Sequence, residues 1–394
     1  MMWTFAFWFG LALIVFTYVG YGVVVALWVR IKGARRSIVL PADYDWPPVT
    51  LLIAAWNEAD ILPQKIANSL AQDYPPDRIV ILLVTDGSTD GSERLFEGHP
   101  QVRVLHDPAR KGKIAAVKRA MKEVATPVTV FTDANTFLND GAIRRMVSDL
   151  ADPSVGAVAG EKRVISQGDA GSGGEGLYWQ YESFLKRKDS ELYSVVGAAG
   201  ELYAIRTELY HDVPGDTILD DFMHTLLIAK DGYRVTYAPE AIAEEHASAN
   251  VKEELKRKVR ISAGGWQSMG RLLPLLNIFR YGVLSFQYIG HRVLRWSLAP
   301  LMLPLVAIAN VVLVLQNGHW VYWGLLLGQI AFYTVAAMGY LWRHRKVAIP
   351  GFFAPYYFVV MNYSVYAGFL RYLRGTQQAA WEKAQRASGK PAIK

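Results

Sequence analysis

The sequence contains no cysteine. That excludes disulfides, thiolate-held metals and a cysteine nucleophile. Phosphate-loop spacing is also missing: no Gly-x-x-x-x-Gly-Lys run occurs. One Gly-x-Gly-x-x-Gly match exists, GSGGEG at residues 171–176. It does not open a helix directly after a buried strand, and no acidic residue follows at the expected place, so it reads as a mobile glycine-rich loop and not as a dinucleotide site. Charge is absent from residues 3–29, WTFAFWFGLALIVFTYVGYGVVVALWV. A bilayer crossing takes about 20 residues, so this stretch is long enough to span. No basic segment precedes it and no small-residue cleavage site follows, which favours a retained anchor over a removed signal peptide. Arg30, Lys32, Arg35 and Arg36 come directly after it. The positive-inside bias then puts that end in the cytoplasm.

What is present is apolar and basic. The 394 residues are 52% hydrophobic and carry a net charge of +7. Length alone suggests two or three structural units. The basic runs KEELKRKVR, RHRK and RYLRG adjoin apolar segments, so the expected anionic partner is the headgroup layer of a lipid bilayer and not nucleic acid. Residues 1–30 read as a transmembrane helix and 31–48 as a Pro-containing linker. Residues 251–296 read as amphipathic helices lying in the membrane interface. Residues 297–372 hold further apolar segments, at about 297–316, 320–342 and 351–370, the third expected to span on its length. A basic tail occupies 373–394.

Between these lies a different texture, from residue 49 to 250. Apolar strand patterns at 49–56, 78–86, 102–107 and 128–133 alternate with helical patterns at 59–73 and 113–124. Continuous apolar strands separated by helices predict an α/β domain with a mainly parallel sheet covered on both faces. After Tyr237 the α/β texture fades. Ligands in such sheets bind at the carboxyl ends of the strands. The most polar short motifs fall there: WNE after the first strand, TDGSTD after the second, TDANT after the fourth.

These motifs carry the candidate chemistry. Asn57 and Glu58 line the first strand end. Asp86 ends the second strand, where a Gly-Ser-Thr turn exposes a carboxylate and backbone amides to a base or ribose; a turn former or helix cap is the competing role. Lys111 and Lys113 in RKGK offer a cation to a diphosphate. Asp133 can bridge a hard cation to that diphosphate, and Asn135 can add a neutral carbonyl ligand, since Mg2+ and Mn2+ favour oxygen. An Asx-turn is the plainer alternative. Asp220 and Asp221 stand together before a helix and offer a general base with an acidic neighbour. The small residues of VGAAGELYAIR, 196–206, admit an acceptor close to the backbone. Arg257 and Arg260 sit one helical turn apart and can clamp a leaving diphosphate.

In order and in context, these motifs resemble the membrane-integrated glycosyltransferases of family 2, the group containing cellulose, hyaluronan, chitin and poly-N-acetylglucosamine synthases. AAWNE resembles the family's uracil-stacking strand end. TDGSTDG is similar to its Asp-Asp-Gly-Ser-Thr motif, with Thr85 in place of the first acid. TDANT stands where the family has Asp-x-Asp, and Asn135 replaces the second acid. LDD is similar to its Glu-Asp pair. RKVRISAGGWQ resembles its Gln-x-x-Arg-Trp helix, with Ile261 at the Trp position and Trp266 five residues on. The resemblance implies a GT-A-type cytoplasmic domain with N- and C-terminal transmembrane helices in the inner (plasma) membrane. It implies a UDP-sugar donor, Mg2+ or Mn2+, a glycan or lipid-linked acceptor, and an inverting displacement with Asp221 as general base. The missing second acid implies a metal site that depends on the phosphates of the donor.

Overall fold

The computed structural model describes residues 1–35, 38–165, 172–246, 251–342 and 350–375. Arg36, the RHRK run and all but the first residues of the basic tail lie outside them. The chain begins with α1 (Met2–Val15), a π-helical turn (Phe16–Gly20) and α2 (Tyr21–Lys32). Then come β1 (Val49–Ala55), α3 (Leu62–Leu70), β2 (Ile79–Asp86), β3 (Val102–Asp107), α4 (Lys113–Met121), β4 (Val128–Asp133), β5 (Phe137–Leu138) and α5 (Ala142–Leu150). β6 (Val155–Ile165), α6 (Ser172–Leu192), β7 (Leu202–Arg206), α7 (Asp220–Lys230) and β8 (Arg234–His246) complete the mixed region. The rest is helical: α8 (Val251–Arg271), α9 (Ile278–Tyr281), α10 (Val283–Tyr288), α11 (Leu294–Trp296), α12 (Leu298–Asn317), α13 (Trp320–Trp342) and α14 (Pro350–Leu373).

The chain divides into two compact units. The apolar unit comprises Met1–Gly33, Ser166–Lys188 and Asn250–Thr376. Among the described residues, three of its helices are long and apolar enough to cross a membrane: Met2–Lys32, Leu298–Gln316 and Trp320–Trp342. α14 is not among them. It continues through Pro355 as one helix, and its tyrosines, Asn362 and Ser364 dilute its apolar character. Phe7 buries itself against Val306, Ala309 and Leu313 of α12. Glu182 of α6 is buried between Arg292 (2.7 Å) and Arg295 (2.9 Å), with His291 at 3.2 Å. α14 packs on α8, where Ser364 and Ser262 hydroxyls meet at 3.3 Å and Trp266 lies against Phe369 with ring centroids 4.5 Å apart.

The segment expected to be a glycine-rich loop is instead helical from Ser172 onward, with Gly171 outside the described residues. Glycine in a helix costs roughly 1 kcal/mol per residue against alanine. The 16 residues that follow, Leu177–Leu192, are rich in helix formers and carry the helix through that cost.

The second unit, built on Ala34–Ile165 and Asp189–Ala249, contains an eight-stranded sheet in the order β3-β2-β1-β4-β7-β6-β8-β5. β1–β4 hydrogen-bond in parallel, and every residue of β1 is buried. β7 then inserts antiparallel between β4 and β6, and β5 joins antiparallel at the edge, so the sheet is mixed and less parallel than the strand–helix alternation suggests. The α/β texture also persists past Tyr237, because β8 continues to His246 alongside β6. Its proline and glutamates hide a strand whose register shifts next to Gly160. α3, α4, α5 and α7 pack on the sheet. The register places the site: Ala54 lies beside Asp133, Ala55 beside Thr85, and Asp86 beside Asp107, so the ends of β1, β2 and β4 form one edge.

Candidate active site

Three loops at this edge fix one another. Asn57 is held at φ +53°, a left-handed conformation that asparagine tolerates better than most residues. Its side-chain oxygen accepts from Thr89 N at 2.8 Å, and its own N–H donates to Ser88 Oγ at 3.1 Å. Asp90 accepts from Ala59 N at 2.8 Å. The backbone carbonyl of Glu58 accepts from Ile61 and Leu62 and shortens the expected 59–73 helix at its start. Gly87 turns the chain at φ +67°, and a Cβ there would stand 2.7 Å from Arg110 Cβ, so only glycine fits. The Arg110 guanidinium lies 3.4 Å above the Trp56 ring.

Asp86 belongs to this frame. It is buried, and its carboxylate accepts from Lys111 N at 3.0 Å and Gly112 N at 2.6 Å. The carboxylate therefore holds the RKGK loop, and the base or ribose contact expected of it has to share those oxygens.

The anionic centre forms beside this frame. Lys113, the first residue of α4, reaches Asp133 Oδ1 at 2.9 Å and Asp220 Oδ2 at 3.8 Å. Burial pulls the Lys113 ammonium down, but Asp133, Asp220 and Asp221 outweigh it and hold the amine charged above its ordinary range. Asp220 and Asp221 begin α7 itself rather than preceding it. Burial first, and the Asp220 carboxylate second, push Asp221 up to about 7 against the pull of Lys113 and the Phe222 amide. The small-residue turn closes over the same point. A Cβ on Gly200 would lie 3.4 Å from Asp221 Oδ2 and 3.6 Å from Lys113 Nζ, space that glycine leaves to another group. Gly197, at φ +88°, presses so closely on Phe222 that a Cβ would be 2.2 Å from its ring. Thr225 Oγ1 donates to the Asp221 carbonyl at 2.7 Å and accepts from Ala198 N at 3.2 Å, tying turn to helix.

Below the acids, Tyr203 stacks on Phe131 with ring centroids 4.5 Å apart, and its hydroxyl meets His224 Nδ1 at 3.0 Å. Burial lowers His224 to about 4, so this histidine is neutral at physiological pH.

For a metal, the donor set is small. Among the described residues no three or more His, Asp or Glu side chains converge as a metal cage. Asp133 offers one carboxylate, with an oxygen already on Lys113. Asn135 is buried, and its Nδ2 has no hydrogen-bond partner, so the amide is not tied down through that atom. One carboxylate and one amide fit a hard cation that brings phosphate oxygens and water with it.

Arg257 and Arg260 lie on α8, in the apolar unit; Arg257 stands 4.0 Å from Glu254 one turn back. The indole of Trp266, five residues beyond Ile261, is engaged with Phe369. Four polar residues near the centre escaped the sequence reading: Lys65, Thr132, Lys162 and Glu201. Glu201 alone carried a signal, as the one charge inside a turn of small residues.

The geometry is that of a strand-end acidic centre facing a small-residue loop. Residues 47–264, more than half of the chain, match the family described as Glycosyltransferase like family 2, and the chain belongs to that family. It has a GT-A glycosyltransferase fold with apolar helices toward both ends. The chain is 22% identical over 261 residues to a poly-beta-1,6-N-acetyl-D-glucosamine synthase of Staphylococcus epidermidis, covering 64% of this chain and 62% of that protein. It is 24% identical over 339 residues to an N-acetylglucosaminyltransferase of Mesorhizobium japonicum, covering 79% and 76%. A beta-monoglucosyldiacylglycerol synthase of Synechocystis is 24% identical over 236 residues, covering 56% and 48%. Among solved structures, a mannosyltransferase of Pyrobaculum calidifontis in complex with GDP-Man and Mn2+ superposes with a TM-score of 0.69 at 22% identity, covering 92% of this chain and 97% of that one. At that identity the likeness concerns the fold.

Proposed function

We propose that the chain is a membrane-integrated inverting glycosyltransferase that moves a sugar from a UDP-sugar to a growing polysaccharide. The observation that carries this reading is the centre itself: Asp221, raised to about 7, faces the gap left by Gly200, with Lys113 between it and Asp133. A carboxylate with that affinity accepts a proton at physiological pH and passes it on, as a general base requires. Asp221 takes the proton of the acceptor hydroxyl as the oxygen attacks the anomeric carbon from the Gly200 side. Asp220 keeps Asp221 basic by like-charge repulsion. Lys113 offers its ammonium to the departing diphosphate. Asn57, Glu58 and the Asp86-held loop form the nucleoside wall. When bound, Mg2+ or Mn2+ at Asp133, with Asn135 as neutral neighbour, supplies Lewis-acid charge neutralisation to the leaving group.

The spanning helices hold the enzyme in the inner (plasma) membrane, and the basic residues after the first of them, Arg30 and Lys32, favour a cytoplasmic sheet unit. Transfer of one sugar to a lipid acceptor is the second reading. The similarity to the glucosyldiacylglycerol synthase and the loss of the indole at Ile261 favour it. The test is product analysis: purified enzyme in lipid nanodiscs, radiolabelled UDP-sugars and Mn2+. A ladder of long glycans supports the polymer synthase, and a single glycolipid supports the second reading. No consumption of any nucleotide sugar rejects both.

A further inference from the structure

Lys65 has no place in any motif of the family reading, yet it is one of the largest fully buried side chains in the protein. It sits on α3, whose buried stripe is Leu62, Lys65, Ile66 and Ser69. Three of these are unremarkable for a core-facing helix. A lysine is not, because an ammonium loses its hydration on burial and regains it only through partners. Among the described residues no carboxylate forms an ion pair with it; burial lowers it to about 7, against the opposing pull of the Asp133 carboxylate. A leucine or methionine would fill the same volume at no such cost. The ammonium must therefore be there for its hydrogen bonds.

Those bonds end on the turn that carries Asp133. The Lys65 ammonium donates to Thr132 Oγ1 at 2.9 Å and to the Thr136 carbonyl at 2.7 Å, the two residues that bracket Asp133, Ala134 and Asn135. In its charged form the amine has no acceptor capacity and donates to both. Thr132 Oγ1 accepts from Lys65 and sends its own proton to the Glu201 carbonyl at 3.0 Å. Thr136 closes the turn through its N–H and hydroxyl onto the Asp133 carbonyl, at 3.3 and 3.0 Å. Glu201 directly follows Gly200. Its carboxylate pairs with Lys162, which also pairs with Glu245, and both of those are buried. A series of buried and half-buried hydrogen bonds thus links α3 to the Asp133 turn and to the Glu201 carbonyl beside Gly200, and the Glu201 carboxylate continues it to β6 and β8.

We propose that Lys65 is a positioning residue for sugar transfer, and that its buried ammonium, acting through Thr132, Thr136 and Glu201, sets the spacing between the Asp133 turn and the Gly200 loop. The proposal rests on the reading of those elements as donor and acceptor sites. Misplacing either side by a fraction of an ångström lowers the rate without any loss of a group that touches substrate.

The experiment compares wild type, Lys65→Met, Thr132→Val and the double variant in nanodiscs. Turnover with UDP-sugars and Mn2+, UDP affinity by calorimetry and thermal unfolding are measured on each. With wild type active, kcat/KM should fall ~10- to 100-fold in Lys65→Met, the range seen when outer-shell partners of a site are removed. Both kcat and donor KM should change while a cooperative unfolding transition is retained. Because both residues act through one chain, adding Thr132→Val to Lys65→Met should cost much less than it does alone. If Lys65→Met does not fold, Thr132→Val alone decides, because it removes the 3.0 Å bond to the Glu201 carbonyl, leaving only the longer one from Thr136 at 3.4 Å, and keeps the lysine in place; its kcat should still fall. Wild-type kinetics in the folded variants, or losses that simply add, overturn the proposal. A wild type that consumes no nucleotide sugar overturns the functional reading, and this proposal with it.

Discussion

Asp221→Asn is the substitution with the most to say, because it separates catalysis from stability with opposite signs. Asparagine keeps the shape of the side chain and removes the proposed base. Loss of a positioned general base costs ~100- to 10,000-fold in rate. Stability should move the other way. Asp221 is held at about 7 against an ordinary 3.8, so the folded protein binds this proton more tightly than the unfolded chain does. That contribution is complete below about pH 4 and is lost as the pH rises through about 7. The distance between those two values caps it at ~4 kcal/mol. Asp221 is only partly buried and Lys113 offsets part of the cost, so we expect asparagine to stabilise the fold by ~1–2 kcal/mol above pH 7. For a cooperative unit the size of the sheet unit that is ~2–4 °C in Tm per kcal/mol. The assay is turnover and thermal unfolding of wild type and Asp221→Asn from pH 5 to 9, with UDP affinity as control. Wild-type kcat/KM should rise through about pH 7, and the variant should be inactive, bind UDP normally and melt higher only at the alkaline end. Unchanged turnover in the variant refutes its role as base. A lower Tm at pH 8 refutes the account of its environment.

Further outcomes follow from the same centre. Lys113→Met should raise donor KM and move the rising limb of the pH–rate profile to higher pH, because Lys113 is what pulls Asp221 down; an unmoved limb contradicts that coupling. Asp133→Asn should abolish the Mn2+ dependence of UDP binding in calorimetry. Chelation with EDTA should stop transfer, while Mn2+ alone should bind weakly; tight binding without nucleotide would contradict a donor-dependent metal site. Gly197→Ala should destabilise the sheet unit by ~1–3 kcal/mol, seen as a lower Tm, because the new methyl group meets Phe222 from a left-handed backbone position.

Much of this arrangement is legible in the residues alone, and the illegible part has a common cause. β1, β2 and β4 announce themselves as apolar runs because both faces of the sheet are buried around them. Their polar carboxyl ends then locate Asn57, Asp86 and Asp133. β6 and β8 do not, because Lys162 and Glu245 sit inside them as a buried pair, and charges in a sequence read as surface. Lys65 is hidden for the same reason: a lysine on an amphipathic helix looks solvated until the fold shows which face it occupies. Asp86 is recognisable as a strand-end acid, but its partners, the amides of Lys111 and Gly112, are 25 and 26 residues away and come together only through the parallel pairing of β2 and β3. Burial and long-range pairing are properties of the whole sheet, and no local window contains them.

The central claim is that the Asp133–Lys113–Asp221 centre transfers a sugar from a nucleotide. The most direct measurement is nucleotide release and radiolabelled product formation by the purified protein in nanodiscs, across a panel of UDP-sugars with Mn2+, beside Asp221→Asn and Asp133→Asn. We predict that one UDP-sugar is consumed and its sugar appears in a glycan or glycolipid, and that both variants fail to form product. Consumption of no nucleotide sugar, or equal product from wild type and both variants, contradicts the account.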